Sequence, residues 1–169
     1  MTGHPVADAV RIYSEVGKGT TMCLYLPRHT GPADQDEAQP KDERHPGHGE
    51  TVLVIDDEEI VRMLIVDVLD ENGYAVLQAS DGPSGLKILQ SDARVDLLIT
   101  DVGLPGGMNG RQVADLARLS RPDLKVLFIT GYAENAVVGN GHLDRGMEVV
   151  TKPFSTSALG GKVRDLIDR

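Results

Sequence analysis

Residues able to do chemistry stand at the ends of apolar runs in this chain. Leu97-Leu98-Ile99-Thr100-Asp101 delivers one carboxylate just before the chain breaks at Val102-Gly103-Leu104-Pro105. Val52-Leu53-Val54-Ile55 ends in the pair Asp56-Asp57, Val126-Leu127-Phe128-Ile129 ends in Thr130, and the run from Met147 to Thr151 ends in Lys152-Pro153. Two adjacent carboxylates and a third from a neighbouring strand repel one another by about 4 kcal/mol per pair at roughly 4 Å and an effective dielectric near 20. A hard divalent cation resolves that repulsion, and Mg²⁺ suits it because it takes carboxylate oxygens and water and bridges to phosphate. Lys152 adds a point positive charge and Thr130 a hydroxyl. Together they would neutralise the oxygens of a phosphoryl group transferred in line to Asp101, giving an aspartyl phosphate.

These groups need a scaffold that brings the strand ends together. Strand-like and helix-like segments alternate from Thr51 onward. After Asp56-Asp57 a helix is expected from Glu58 to Glu71, with Val61, Leu64, Ile65 and Val68 on its apolar face. Asn72-Gly73 ends it. A strand over Tyr74–Ala79 precedes a helix carrying Leu86 and Leu89, and the Asp101 strand follows. Gly110–Ser120 reads as a helix burying Val113, Leu116 and Ala117, and Pro122 stops it from continuing. After the strand Lys125–Thr130 comes a weakly specified helix over 133–138, broken by Gly139-Asn140-Gly141. After the strand Met147–Thr151, Ser155 caps a last helix that buries Leu159, Val163 and Leu166. Five strands alternating with five helices imply an α/β fold with a five-stranded, parallel, doubly wound (flavodoxin-like) sheet. In such a sheet sites form at the carboxyl ends of the strands, where Asp56, Asp57, Asp101, Thr130 and Lys152 all fall.

Composition narrows the function further. A formal charge of −9 over 169 residues argues against a nucleic-acid surface, which needs clustered Lys and Arg. The lone Cys23 excludes a disulfide framework, and the five scattered His show no ligand spacing. No run approaches the roughly 20 apolar residues of a membrane span, and the N-terminus lacks signal-peptide character, so a cytoplasmic setting is expected.

Val54-Ile55-Asp56-Asp57-Glu58, Ile99-Thr100-Asp101-Val102-Gly103-Leu104-Pro105, Thr130-Gly131 and Lys152-Pro153-Phe154 resemble the motifs of a two-component response-regulator receiver domain over residues 51–169. The resemblance implies that Asp101 is the phosphoacceptor, taking its phosphoryl group from a histidine kinase or a histidine phosphotransfer protein. By the same resemblance Asp57 is a direct Mg²⁺ ligand, Asp56 acts largely through bound water, and the Gly103 carbonyl completes the metal shell. Lys152 and Thr130 would contact the phosphoryl group, and the Lys152-Pro153 peptide would be cis. The chain departs from the family pattern in three places. Val149 stands where an aromatic residue is frequent, Gly106-Gly107-Met108-Asn109 makes the loop one residue longer, and Gly103 leaves one side of the site unshielded.

Residues 1–28 read as two strands, Val10–Ser14 and Thr21–Leu26, around a Gly-rich turn. Ser14-Glu15-Val16-Gly17-Lys18-Gly19-Thr20-Thr21 and the following strand resemble the last glycine box and final strand of a histidine-kinase ATP-binding domain, so 1–28 is expected to be a truncated C-terminal piece of one. The asparagine-rich box, first glycine box and phosphoacceptor-His helix have no counterpart, and no ATP-dependent kinase activity is expected of this chain alone. Residues 29–50, rich in Pro, Gly, Asp, Glu, Lys and His, read as a flexible linker. The chain is then expected to be a phosphorelay receiver with self-catalysed phosphotransfer. The alternative is that it is the regulatory receiver portion of a hybrid histidine kinase whose full-length form is ATP-dependent. A dehalogenase-type phosphohydrolase, which also uses a strand-end Asp, wants an acid two residues later, where Gly103 stands.

Overall fold

The computed structural model describes residues 9–25, 47–131 and 143–169. The chain divides into two units, Met1–Gln39 and Pro40–Arg169. In the first, β1 (Ala9–Glu15) and β2 (Gly19–Tyr25) form an antiparallel hairpin with Ile12 opposite Met22 and Ser14 opposite Thr20. Gly17 and Gly19 take positive φ in its turn, which only glycine adopts without strain.

In the second unit the strands are β3 (Thr51–Ile55), β4 (Ala75–Ala79), β5 (Leu97–Asp101), β6 (Lys125–Thr130) and β7 (Met147–Thr151). The helices are α1 (Glu59–Glu71), α2 (Gly82–Leu89), α3 (Gly110–Ser120) and α4 (Thr156–Asp168). The sheet is parallel throughout in the order β4-β3-β5-β6-β7. The expected helix over 133–138, and Tyr132 before it, lie outside the described residues, as does most of the 29–50 linker.

The apolar runs are continuous because the central strands are buried on both faces. Val52, Val54, Leu97, Ile99, Leu127 and Ile129 pack with α1 and α4 through Ile65, Leu69, Leu159, Val163 and Leu166. Their alternate neighbours Leu53, Ile55, Leu98, Val126 and Phe128 pack with α2 and α3 through Leu89, Val113, Ala114 and Ala117. Two helix faces differ from expectation. Leu64 is 44% exposed and Leu116 is 41% exposed, whereas Leu69 and Ala114 are buried. Each helix carries apolar residues on more than one stripe, so periodicity alone permits two phases, and docking on the sheet selects one.

Gly47, ahead of β3, already contacts this unit. The Gly47 N–H donates to the Asn72 carbonyl at 2.6 Å, and its Cα lies so close to Tyr74 that a Cβ would sit 2.7 Å from the ring. The start of α3 shows a second close approach. A Cβ on Gly110 would collide with the Asp101 carbonyl oxygen, so glycine is what lets α3 begin directly against the end of β5. Asn109 and Gln112 close a capping box there.

Candidate functional site

β3 and β5 are neighbours, and the register that sets Ile55 opposite Thr100 brings Asp56 level with Asp101. Asp56 and Asp101 are buried, while Asp57 turns out to solvent. Oxygens from Asp56, Asp57 and Asp101 all lie within 4.8 Å of one another. Asp101 Oδ1 accepts the Gly103 N–H at 2.8 Å, and Gly103 itself is exposed, so the site opens on that side.

Lys152 arrives from the end of β7, two strands away. Its N–H donates to the Thr130 carbonyl at 2.8 Å, and the Lys152-Pro153 peptide is cis, as the resemblance implied. The ammonium lies 2.6 Å from Asp101 Oδ2, 3.3 Å from Asp56 Oδ2 and 3.4 Å from Glu58 Oε1. Burial alone would lower the Lys152 pKa. The hydrogen bond to Asp101 and the charges of Asp56 and Asp101 outweigh it, so the ammonium is held above its ordinary value. Burial pushes the Asp56 carboxyl up; the Glu58 N–H and Lys152 pull it back, and the charge of Asp101 adds to the rise. The net shift of Asp56 is upward, so burial and the Asp101 charge outweigh the Glu58 N–H and Lys152 there.

The donor set is therefore three carboxylates without nitrogen or sulfur, a combination that fits a hard, oxygen-seeking divalent cation. Thr130 stands at the same edge, fully buried, with its hydroxyl donating to the Gly131 carbonyl at 2.8 Å. Contact with an incoming group requires that hydroxyl to rotate. The structure thus brings Asp56, Asp57, Asp101 and Lys152 into one cluster, with Gly103 and Thr130 on its border.

Two participants escaped the sequence reading. Glu58 carries no N-cap hydrogen bond for α1; its carboxylate turns to Lys152 instead. Arg62, in the second turn of α1, donates from Nη1 to the Asp56 carbonyl at 2.6 Å. The signal for Arg62 was its spacing: one helical turn after Glu59, it can reach back over the turn that presents the acidic pair.

An open parallel α/β sheet with a cation-seeking acidic cluster and a fixed lysine at its carboxyl edge is the framework of a phosphoryl-accepting signalling domain. Residues 52–164 match the family model of the response regulator receiver domain. Sensor kinase CckA of Brucella abortus (strain 2308) is 34% identical over 164 residues, covering 92% of this chain and 17% of that protein. The response regulator receiver protein CpdR of the same organism is 32% identical over 116 residues, covering 69% of this chain and 95% of CpdR. The crystal structure of a response regulator receiver protein from Sinorhizobium medicae WSM419 superposes with a TM-score of 0.66 at 30% identity, over 72% of this chain and 96% of that one. The chain belongs to the response-regulator receiver family and carries a two-component phosphorelay receiver domain. Among the described residues no helix is long and apolar enough to cross a membrane.

Proposed function

We propose that Asp101 accepts the phosphoryl group, from a histidine kinase or a histidine phosphotransfer protein. The observation that carries this is the Lys152 ammonium held 2.6 Å from a buried strand-end carboxylate whose neighbours supply the oxygens of a cation site. In the transfer, the N–P bond of a phosphohistidine breaks as an oxygen of Asp101 forms the new O–P bond, and the electron pair returns to the imidazole nitrogen. Asp101 enters as a carboxylate, so no proton has to leave it. Lys152, freed from that oxygen, pairs with a phosphoryl oxygen, and the Thr130 hydroxyl turns from Gly131 to another. Asp57, Asp56, Asp101 and the Gly103 carbonyl would hold Mg²⁺, which supplies charge neutralisation to the transferring group. The exposed Ile60 and Met63 and the half-exposed Leu64, on the first turns of α1 beside this edge, offer the donor protein an apolar contact. The test is intact mass after incubation with acetyl phosphate and Mg²⁺. One added phosphoryl group in the wild type and none in Asp101→Asn is expected; a gain retained in Asp101→Asn overturns the assignment.

For the whole chain, we infer residues 1–28 to be the C-terminal piece of a kinase ATP-binding domain, 29–50 a linker and 51–169 the receiver. An alignment covering 92% of a 169-residue chain must include β2 and the residues leading to β3, so the similarity to a sensor kinase runs beyond the receiver alone. That supports reading residues 1–28 as derived from a kinase sequence. Calorimetric titration with ATP and Mg²⁺ should show no nucleotide binding; a saturable heat would mean that β1 and β2 belong to a working nucleotide site.

A further inference from the structure

The turn between β3 and α1 has to present Asp56 and Asp57 at fixed positions, and its sequence carries no glycine or proline to fix it. Asp56-Asp57-Glu58-Glu59 is four consecutive acids, so like charges push the turn apart. Lys152 opposes this from the front through Asp56 and Glu58. From behind, the half-buried Arg62 guanidinium donates to the Asp56 carbonyl at 2.6 Å, while the Arg62 N–H makes the ordinary helical bond to the Glu58 carbonyl at 2.9 Å. The Glu58 N–H closes the loop on Asp56 Oδ1 at 2.8 Å. Asp57 is the residue held between these ties.

We propose that Arg62 is a positioning residue for the acidic cluster, holding the β3–α1 turn so that the outward Asp57 carboxylate faces Asp56 and Asp101; this rests on the reading of that cluster as the Mg²⁺ site. The Arg62 guanidinium bonds the Asp56 backbone carbonyl and not a carboxylate of the cluster. The side chain acts through the Asp56 carbonyl, as outer-shell partners act on metal ligands elsewhere.

Geometry and charge give opposite signs here. If Arg62 mattered only as a nearby positive charge, removing it would tighten binding of a dication. If it positions the turn, removing it weakens binding. Mg²⁺ alone is titrated by calorimetry into the full chain as wild type, Arg62→Met, Arg62→Lys and Asp57→Asn, with Tm measured in metal-free buffer. The Mg²⁺ Kd is expected to rise about tenfold in Arg62→Met and by a smaller factor in Arg62→Lys, which keeps one donor but loses the planar fork. An unchanged or lower Kd in folded Arg62→Met overturns the proposal whatever its Tm. Should Arg62→Met fail to fold, a wild-type Kd in Arg62→Lys overturns it instead. Equal Mg²⁺ binding by wild type and Asp57→Asn would be a different failure, that of the metal-site reading itself.

Discussion

At the amino edge of the sheet Glu50 meets Arg164 at 3.1 Å, Arg164 also pairs with Asp168, and Asp96 accepts the Thr51 N–H at 2.8 Å while pairing with Arg94. Lys125 donates to the Ile167 carbonyl at the end of α4. Burial of Glu50 there is outweighed by the His48 N–H and Arg164, which leave its carboxyl below the ordinary range. At the carboxyl edge Asp56, Glu58 and Asp101 converge on one ammonium and Asp57 stands beside them. Asp56 is displaced upward there, the opposite direction from Glu50. The same sheet thus ends in one edge whose buried carboxylate is held below its ordinary pKa and another whose buried carboxylate is held above it, beside a cluster of three aspartates.

The largest test of that contrast is Lys152→Met. It leaves Asp56 and Asp101 buried without a counter-charge, and removing one partner of a buried ion pair costs about 3 kcal/mol. Urea unfolding in metal-free buffer should show that loss, and added Mg²⁺ should recover more stability in the variant than in the wild type. A loss no greater than that of a surface substitution would mean the carboxyl edge is not held together by Lys152.

A change of the opposite sign sharpens the comparison. Asp56→Asn removes one of the repelling, buried carboxylates while keeping an oxygen for the Glu58 N–H. It should stabilise the metal-free protein by about 1 kcal/mol and abolish measurable Mg²⁺ affinity. Destabilisation in metal-free buffer would show that Lys152 fully compensates Asp56 and that no tension is stored there.

The carboxyl edge was legible in the sequence because its chemistry is punctuated by strand ends. Asp56, Asp101, Thr130 and Lys152 each follow an apolar run, and a parallel sheet aligns run ends whatever the helices do. What stayed illegible depends on tertiary choices. The helix pattern did not reveal that Leu64 and Leu116 face out, since a second apolar stripe competes on each helix. The seat of Gly47 on Tyr74 joins residues with no shared pattern, and so does the bonding of Arg121 to the Leu89, Ser91 and Ala93 carbonyls at and beyond the end of α2. The partner of Arg62 is a backbone carbonyl, which carries no side-chain signature, so spacing from Glu59 was its one cue.

The smallest effect belongs to the amino edge and carries a pH signature. Glu50→Gln keeps the shape of the side chain but removes the charge that Arg164 and the His48 N–H favour, so it should cost about 1 kcal/mol at pH 7. Because the folded Glu50 pKa lies below its ordinary value of 4.5, its contribution is present above that value and is lost as pH falls through the lower folded one. The gap between wild type and Glu50→Gln in urea midpoints should therefore be constant near neutrality and close as the solution is acidified below about 4.5. A gap that widens on acidification, or a variant more stable than wild type at pH 7, would place Glu50 under the same tension as Asp56 and remove the distinction between the two edges.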